Sequence, residues 1–433
     1  MNAADLAIVA ALVFGWGALS ARLERFDVTA PIVFVLGGLL LTHGPLTVLH
    51  VAPSNELIKD LAEFTLALVL FSDASRVGLH ELRADSGLYV RLLGVALPLT
   101  IGLGTLLALA LAGTGTSIWL ALLVGAALAP TDAALGAGMM ANPVVPARIR
   151  RLINVESGLN DGIATPFVSV ALAGAATGGQ AAGHGPAKAL TELAVGIVIG
   201  VVVGGVGGVL VNAARQRGWA AEGFAGSAVL GLAVCAYAFS VAVDGNGFIA
   251  AFIGGLAFGT TGGRRGEPLM PFVEETGALV SLLVWLSFGA VALVPAMEAV
   301  TWKMVLYAIL SLTVVRMVPV AVALIGARLG WATVTLVAWF GPRGLASVVF
   351  ALLALEELGN PVAGRAVAVI AITVVLSVVV HGATAEPLAI RYAKRLADRA
   401  AGSAGTRMPD MPDRRLIRRG SPSKGDTPGQ GQR

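Results

Sequence analysis

The chain has 433 residues, 56% of them hydrophobic and only 13% charged, with a mean hydropathy of +0.83. An ordinary soluble domain carries about 25% charged residues, so the composition excludes a soluble protein and indicates a chain that crosses a membrane many times. Thirty basic and 26 acidic side chains leave a net charge of +4, no nucleic-acid partner is expected, and the single cysteine excludes disulfides within the chain.

Apolar runs of about 20 residues, each long enough for a hydrocarbon core, recur along the chain at 5–21, 30–42, 57–75, 90–111, 118–140, 151–175, 189–212, 223–243, 246–261, 272–294, 302–326, 331–355 and 364–390. They predict an all-α polytopic membrane protein of roughly thirteen transmembrane helices, because a backbone in lipid must satisfy its own hydrogen bonds. The alternating rhythm of a barrel strand is missing. The first run reads as a retained span, since the arginines follow it and no basic region precedes it. Cys235 falls inside an apolar run and reads as a small core residue.

Positive charge sets the orientation. One set of connections holds Arg22, Arg25, Arg76, Arg83, Arg91, Arg148, Arg150, Arg151, Arg215, Arg217, Arg264, Arg265 and Arg328, whereas the other holds Lys59, Lys188, Lys303 and Arg365. This asymmetry places the N-terminus outside and the C-terminus in the cytoplasm. From 391 onward, Arg391, Lys394, Arg395 and Arg399 mark a short amphipathic helix suited to anionic lipid, followed by a basic, disordered cytoplasmic tail to 433.

Against this apolar background a few charges stand out. Glu156-Ser157-Gly158-Leu159-Asn160-Asp161-Gly162 follows Pro130-Thr131-Asp132, and each carboxylate at bilayer depth costs roughly 2.5 kcal/mol or more. Pro130 recurs 212 residues later as Pro342, itself followed by Arg343, and acids open the runs at 57 and 272. The pattern predicts two inverted repeats. A mid-span proline removes a backbone bond and breaks the helix. If the two breaks cross, Asp132 meets facing N-terminal helix ends and Arg343 facing C-terminal ends, which accounts for opposite charges at matched positions.

Asp161 and Ser157 lie four residues apart on one helical face, so carboxylate and hydroxyl reach one site. A monovalent cation wants several oxygens, and the Pro130 break frees carbonyls near Thr131 to supply more. Asp73, near the end of the 57–75 run, reads by itself as an interfacial partner of Arg76; Asp132 acts through water or as a fixed charge. Glu156 shares its face with Asn160 and points away from Asp161. Burial favours the protonated form of Asp161 and a nearby cation its charged form, so proton and cation exclude each other.

The segments Ala129-Pro130-Thr131-Asp132, Asn154-Val155-Glu156-Ser157-Gly158-Leu159-Asn160-Asp161 and Gly341-Pro342-Arg343-Gly344 resemble those of bacterial sodium/proton antiporters of the NhaP type, relatives of the animal sodium/proton exchangers. The span pattern extends the likeness over 5–390. The resemblance implies a six-helix transport core, here roughly 57–175 and 302–390 with 272–294 shared. It implies that the remaining helices form a scaffold that makes a homodimer. It also implies a cation site at Asp73, Thr131, Ser157 and Asp161, and a structural pair of Glu156 with Arg316 supported by Asn160. Asn160-Asp161 in place of two acids implies electroneutral one-for-one exchange of Na+, or Li+, for H+ in the cell membrane, serving pH homeostasis.

A potassium/proton antiporter of the same fold is the nearest alternative, since ligand identity does not fix cavity size. A cation channel would need a carbonyl-lined filter loop, and a hydrolase would need a Gly-x-Ser-x-Gly elbow; neither pattern occurs. The five histidines lack metal-ligand spacing, so no cofactor or resident metal is expected. His381 reads as a packing or capping residue of the last span rather than a pH sensor, and Glu386 as a residue of the cytoplasmic interface.

Overall fold

The computed structural model describes residues 3–26, 28–43, 55–77, 85–112, 116–136, 139, 145–176, 185–262 and 269–404. Its regular elements are all helices. In chain order they are α1 (Ala3–Leu23), α2 (Ala30–His43), α3 (Asn55–Arg76), α4 (Ser86–Ala112), α5 (Ile118–Ala127), α6 (Ala147–Ala176) and α7 (Gly185–Gln216). Then come α8 (Glu222–Ala242), α9 (Gly247–Gly262), α10 (Met270–Val291), α11 (Trp302–Ala323), α12 (Trp331–Trp339), α13 (Leu345–Leu358) and α14 (Asn360–Ala404). Arg83, Arg264, Arg265, the end of the 118–140 run and the tail from 405 lie outside the described residues.

Seven of these helices (α1, α4, α7, α8, α10, α11 and α14) are long and apolar enough to cross a membrane, and α2, α5 and α9 are shorter apolar helices. Helices α3 and α6 are equally long but less apolar, because they carry Lys59, Asp60, Glu63 and Asp73, and Glu156, Asn160 and Asp161. Lowered hydropathy in an otherwise lipid-compatible helix is how a polar pathway registers in sequence.

Residues 1–392 form one compact unit. Within it, α7 packs on α9 and α8, α9 on α3, and α10 on α2 and α3; separately, α4 packs on α5, α5 on α6, and α11 on α12. The two groups meet where α13 lies on α3 and α10, and where α6 lies on α7, α3 and α9. Helix α3 therefore packs chiefly with α9 and α10. The second unit, residues 393–433, is described only to 404, where it is helical.

A fourfold order recurs. A straight helix (α3, α10) precedes a helix interrupted by one π-turn (α4, α11), then a broken helix (α5, then α12 with α13), then a long helix (α6, α14). The π-turns span Leu92–Ala96 and Ser311–Val315. Each contains the carbonyl, of Gly94 or Val315, that Pro98 or Pro319 four residues later leaves without its N–H donor, so a proline causes each turn. Helix α5 stops at Ala127 and a 3-10 turn, Ala133–Gly136, follows it, while α12 stops at Trp339 and α13 restarts at Leu345. Pro130 and Pro342 sit in these gaps, and the Asp132 N–H donates to the Pro342 carbonyl at 2.8 Å, so the two breaks touch.

Cys235 corrects the sequence reading: it is exposed on α8 rather than packed in the core. In a bilayer an apolar residue gains nothing by turning inward, because lipid is as apolar as the interior. A small hydrophobic maleimide should therefore label Cys235 in the folded, detergent-solubilised protein; labelling only after denaturation would contradict this placement.

Candidate functional site

At the first break the carbonyls of 127 to 131 have no backbone N–H partner among the described residues, and each orphan left buried would cost about 1–3 kcal/mol. Four of them receive donors. Ser347 Oγ donates to the Ala127 carbonyl at 2.6 Å, and Arg343 Nη1 donates to those of Ala129 and Pro130 at 2.9 and 3.1 Å. The Ser157 hydroxyl donates to the Thr131 carbonyl. Arg343 Nη2 also reaches the Ser311 carbonyl of the π-turn at 3.4 Å. The guanidinium is fully buried and has carbonyl dipoles rather than a carboxylate as its counter-charge.

Asp132 does the converse. Its Oδ1 accepts from the Ala134 N–H at 2.9 Å, at the start of the 3-10 turn, and Oδ2 accepts from the Leu345 N–H at 3.3 Å, at the first residue of α13. One carboxylate thus caps helical N-termini in both repeats, where the dipole favours negative charge. Gly344 makes this possible: a side-chain carbon there would overlap the Asp132 carboxylate. Asp132 and Arg343 are not bonded to each other by their side chains; each answers helix ends.

Glu156 and Arg316 form a buried ion pair, with Arg316 Nη2 at 2.7 Å from Oε1 and 3.0 Å from Oε2. Both are 1% exposed. Asn160 Nδ2 donates to Thr131 Oγ1 at 2.7 Å, fastening α6 to the break. Arg316 Nε, Arg343 Nε and Asn160 Oδ1 are buried without a hydrogen-bond partner among the described residues.

Ser157 is more heavily used than its spacing suggested. Besides donating to Thr131, its Oγ accepts the Ala133 N–H at 2.8 Å, which leaves one lone pair for anything else. Asp161 has no comparable engagement. Among the described residues neither its carboxylate nor that of Asp73 has a hydrogen-bond or ion-pair partner, and both line a cavity of about 1270 Å³ together with Asp132 and Ser157. Gly158 brings α3 and α6 together there, since a side-chain carbon on it would lie 3.3 Å from Asp73 Cβ. The cavity continues to Arg76, Arg151, Glu24 and Glu386 at one end of the bundle. At the other end a separate pocket of about 240 Å³, beside Lys59 and Glu356, does not reach Asp161.

Arg76 forms its ion pair with Glu274 of α10, and no direct Asp73–Arg76 pair occurs among the described residues. Sequence reasoning missed Glu274 as that partner and missed Ser311, Ser347 and Ser377, all bonded to the breaks or to Arg343. A serine in an apolar helix carries too weak a signal on its own. Groups of His, Cys, Asp or Glu able to hold a metal ion do not occur among the described residues.

The transmembrane sodium/hydrogen exchanger family model matches residues 8–391. Two solved structures of the sodium proton antiporter MjNhaP1 from Methanocaldococcus jannaschii share the fold at 20% sequence identity, with TM-scores of 0.74 and 0.71. Each comparison covers 90% of this chain and 98% of the other.

Replacing Arg316 by Ala would leave Glu156 charged and buried alone, a loss of about 3–5 kcal/mol. The folded yield of Arg316→Ala should fall sharply, and adding Glu156→Ala should restore part of it. A double variant no better than the single one would separate the two residues energetically.

Proposed function

Because the chain belongs to the sodium/hydrogen exchanger family, a family of transporters rather than enzymes, we propose that this polytopic membrane protein exchanges Na+ for H+ with Asp161 as the group both ions occupy. The observation that carries the reading is the contrast among the buried charges. Glu156 is committed to Arg316 and Asp132 to two helix N-termini, whereas the Asp161 carboxylate faces the cavity unpartnered. A partnered carboxylate has little reason to exchange its counter-ion; an unpartnered one in a low-dielectric wall must take a proton or a cation.

Within this reading a Na+ at Asp161 completes its shell from Asp73, the remaining Ser157 lone pair and the Thr131 carbonyl, all hard oxygen donors. Asp132 contributes field and water-mediated contact. Glu156, Asn160 and Arg316 hold α6 against the break. The expected core of 57–175 and 302–390, with 272–294 shared, includes α3; because α3 packs chiefly on α9 and α10, we take instead a moving core of α4–α6 and α11–α14 against a scaffold of α1–α3 and α7–α10. Here α3 belongs to the scaffold, so Asp73 and Asp161 approach the ion from opposite sides of the sliding surface. Seven crossings between matched elements would make the second repeat an inverted copy. The scaffold is the surface through which two chains would pair, with lipid around both.

The arginine-bearing end of the bundle is the cytoplasmic one by the charge asymmetry, so the cavity opens inward and the N-terminus lies outside. Exchange proceeds by alternating access: the loaded core moves, the inner cavity closes, and Asp161 meets the other side carrying one ion or the other. With one exchanging carboxylate beside Asn160, each cycle carries one Na+ against one H+ and moves no net charge.

In reconstituted vesicles Asp161→Asn should reduce cation-driven proton flux to background while the protein inserts and elutes as wild type; full transport in that variant would remove Asp161 from the mechanism. Dequenching of a pH-sensitive dye, measured with Na+, Li+ and K+ in turn, should respond to Na+ and Li+, whereas a response to K+ alone would transfer the reading to a potassium antiporter. The flux should be indifferent to an imposed membrane potential. A potential-driven current would overturn the one-for-one stoichiometry.

A further inference from the structure

The second repeat contains a matched copy of the serine and titratable residue that flank the exchange site. Ser157 on α6 accepts the Ala133 N–H of the first break at 2.8 Å, and Ser377 on α14 accepts the Arg343 N–H of the second break at 2.7 Å. Four residues beyond each serine stands a titratable side chain, Asp161 in one case and His381 in the other, with 220 residues separating both members of the two pairs. We propose that His381 is the second-repeat counterpart of Asp161, converted from an ion-exchanging position into a positioning residue that locks the second break.

The contacts of the ring define what it does. His381 is 1% exposed. Its Nε2 lies 3.1 Å from the Trp339 carbonyl at the end of α12, an acceptor toward which a protonated Nε2 donates. Its Nδ1 lies 3.1 Å from Ser377 Oγ and 3.0 Å from the Ser377 carbonyl. Both carbonyls only accept, so a neutral ring donates to one of them, Nε2–H to Trp339 O or Nδ1–H to Ser377 O; in the first tautomer Nδ1 accepts a hydrogen bond from the Ser377 hydroxyl, and the chain of contacts runs from the Arg343 N–H through Ser377 Oγ and the His381 ring to Trp339 O. The imidazole thereby joins α14 to both sides of the gap, 339 and 343.

The second break that these contacts hold abuts the first one. Arg343 holds the Ala129 and Pro130 carbonyls, and the adjacent Pro342 carbonyl accepts the Asp132 N–H. The Thr131 carbonyl sits between these fixed points. A second break free to shift would move the oxygens that meet the cation while leaving Asp161 itself untouched. Removing His381 should thus weaken cation binding more than maximal turnover, which is the signature of positioning rather than chemistry. Asp161 exchanges because it faces the cavity; His381 holds because its ring is closed off by two main-chain carbonyls and a hydroxyl.

This inference rests on the proposed exchange reading for its consequence at the cation, and the test separates the two. In vesicles, His381→Ala and Ser377→Ala should each raise the apparent KM for Na+ at least fivefold, with maximal rate changed less than twofold. The double variant should be no worse than either single one. His381→Gln, whose amide N–H reaches toward the Trp339 carbonyl, should recover at least half of the lost affinity. Wild-type KM in His381→Ala, or additive effects in the double variant, would overturn the assignment. Should His381→Ala fail to fold, His381→Gln and Ser377→Ala decide the same question, since an unchanged KM in Ser377→Ala also overturns it. If wild-type vesicles show no exchange with Na+, Li+ or K+, the exchange reading fails. The chain of contacts is then judged on Tm alone: lowered and non-additive in Ser377→Ala and His381→Ala supports it, additive overturns it.

Discussion

Two interrupted helices that touch at their gaps set the terms for the rest of the molecule. An interruption at bilayer depth releases carbonyls and N–H groups that lipid cannot satisfy. The Asp132 N–H to Pro342 O bond joins the two interruptions, and the charges of Arg343 and Asp132 then serve the released groups of both at once. Neither break is stable alone, because the donors for the first come largely from the second and the acceptor for α13 comes from the first. The glycine and serine nearby follow from this mutual repair, and a π-turn set by its own proline contributes to it. Gly344 gives room to the Asp132 carboxylate, Ser347 supplies a donor from α13, and the 311–315 turn presents a carbonyl to Arg343.

From that framework the buried charges sort by what they touch. Arg343 and Asp132 are matched to dipoles and Arg316 and Glu156 to each other, while the His381 ring meets two carbonyls and a hydroxyl. A buried pair is weak evidence for added stability, but losing one member is expensive, so these groups fix an arrangement rather than lower its energy. What remains unmatched among the described residues that line the cavity are the carboxylates of Asp161 and Asp73. A frame of satisfied charges around two unsatisfied carboxylates is what the proposed exchange of counter-ions would need.

Much of this was legible in the sequence, for identifiable reasons. Charged residues are so costly in an apolar run that Asp132, Glu156, Asp161, Arg316 and Arg343 announce themselves, and prolines beside two of them mark the breaks. Four-residue spacing separated Ser157 with Asp161 from Glu156 with Asn160. Less was legible where the determinant is neutral or lies in packing. Ser377 resembles any small residue of an apolar helix, and only its bond to the Arg343 N–H reveals its task. The π-turns depend on how prolines are absorbed locally rather than on composition. The partner of Arg76 proved to be Glu274, nearly 200 residues away, because α3 lies along α10. Cys235 faces outward because hydrophobicity does not distinguish a core from lipid.

Competition between proton and cation at one carboxylate is the central claim, and it can be measured without a membrane. Purified protein in weakly buffered detergent solution, held at a pH where Asp161 is protonated, is titrated with NaCl while released protons are followed with a pH indicator. Release should saturate with Na+, approach one proton per chain, and vanish in Asp161→Asn. Saturable Na+ binding without proton release, or release that persists in Asp161→Asn, would contradict the account.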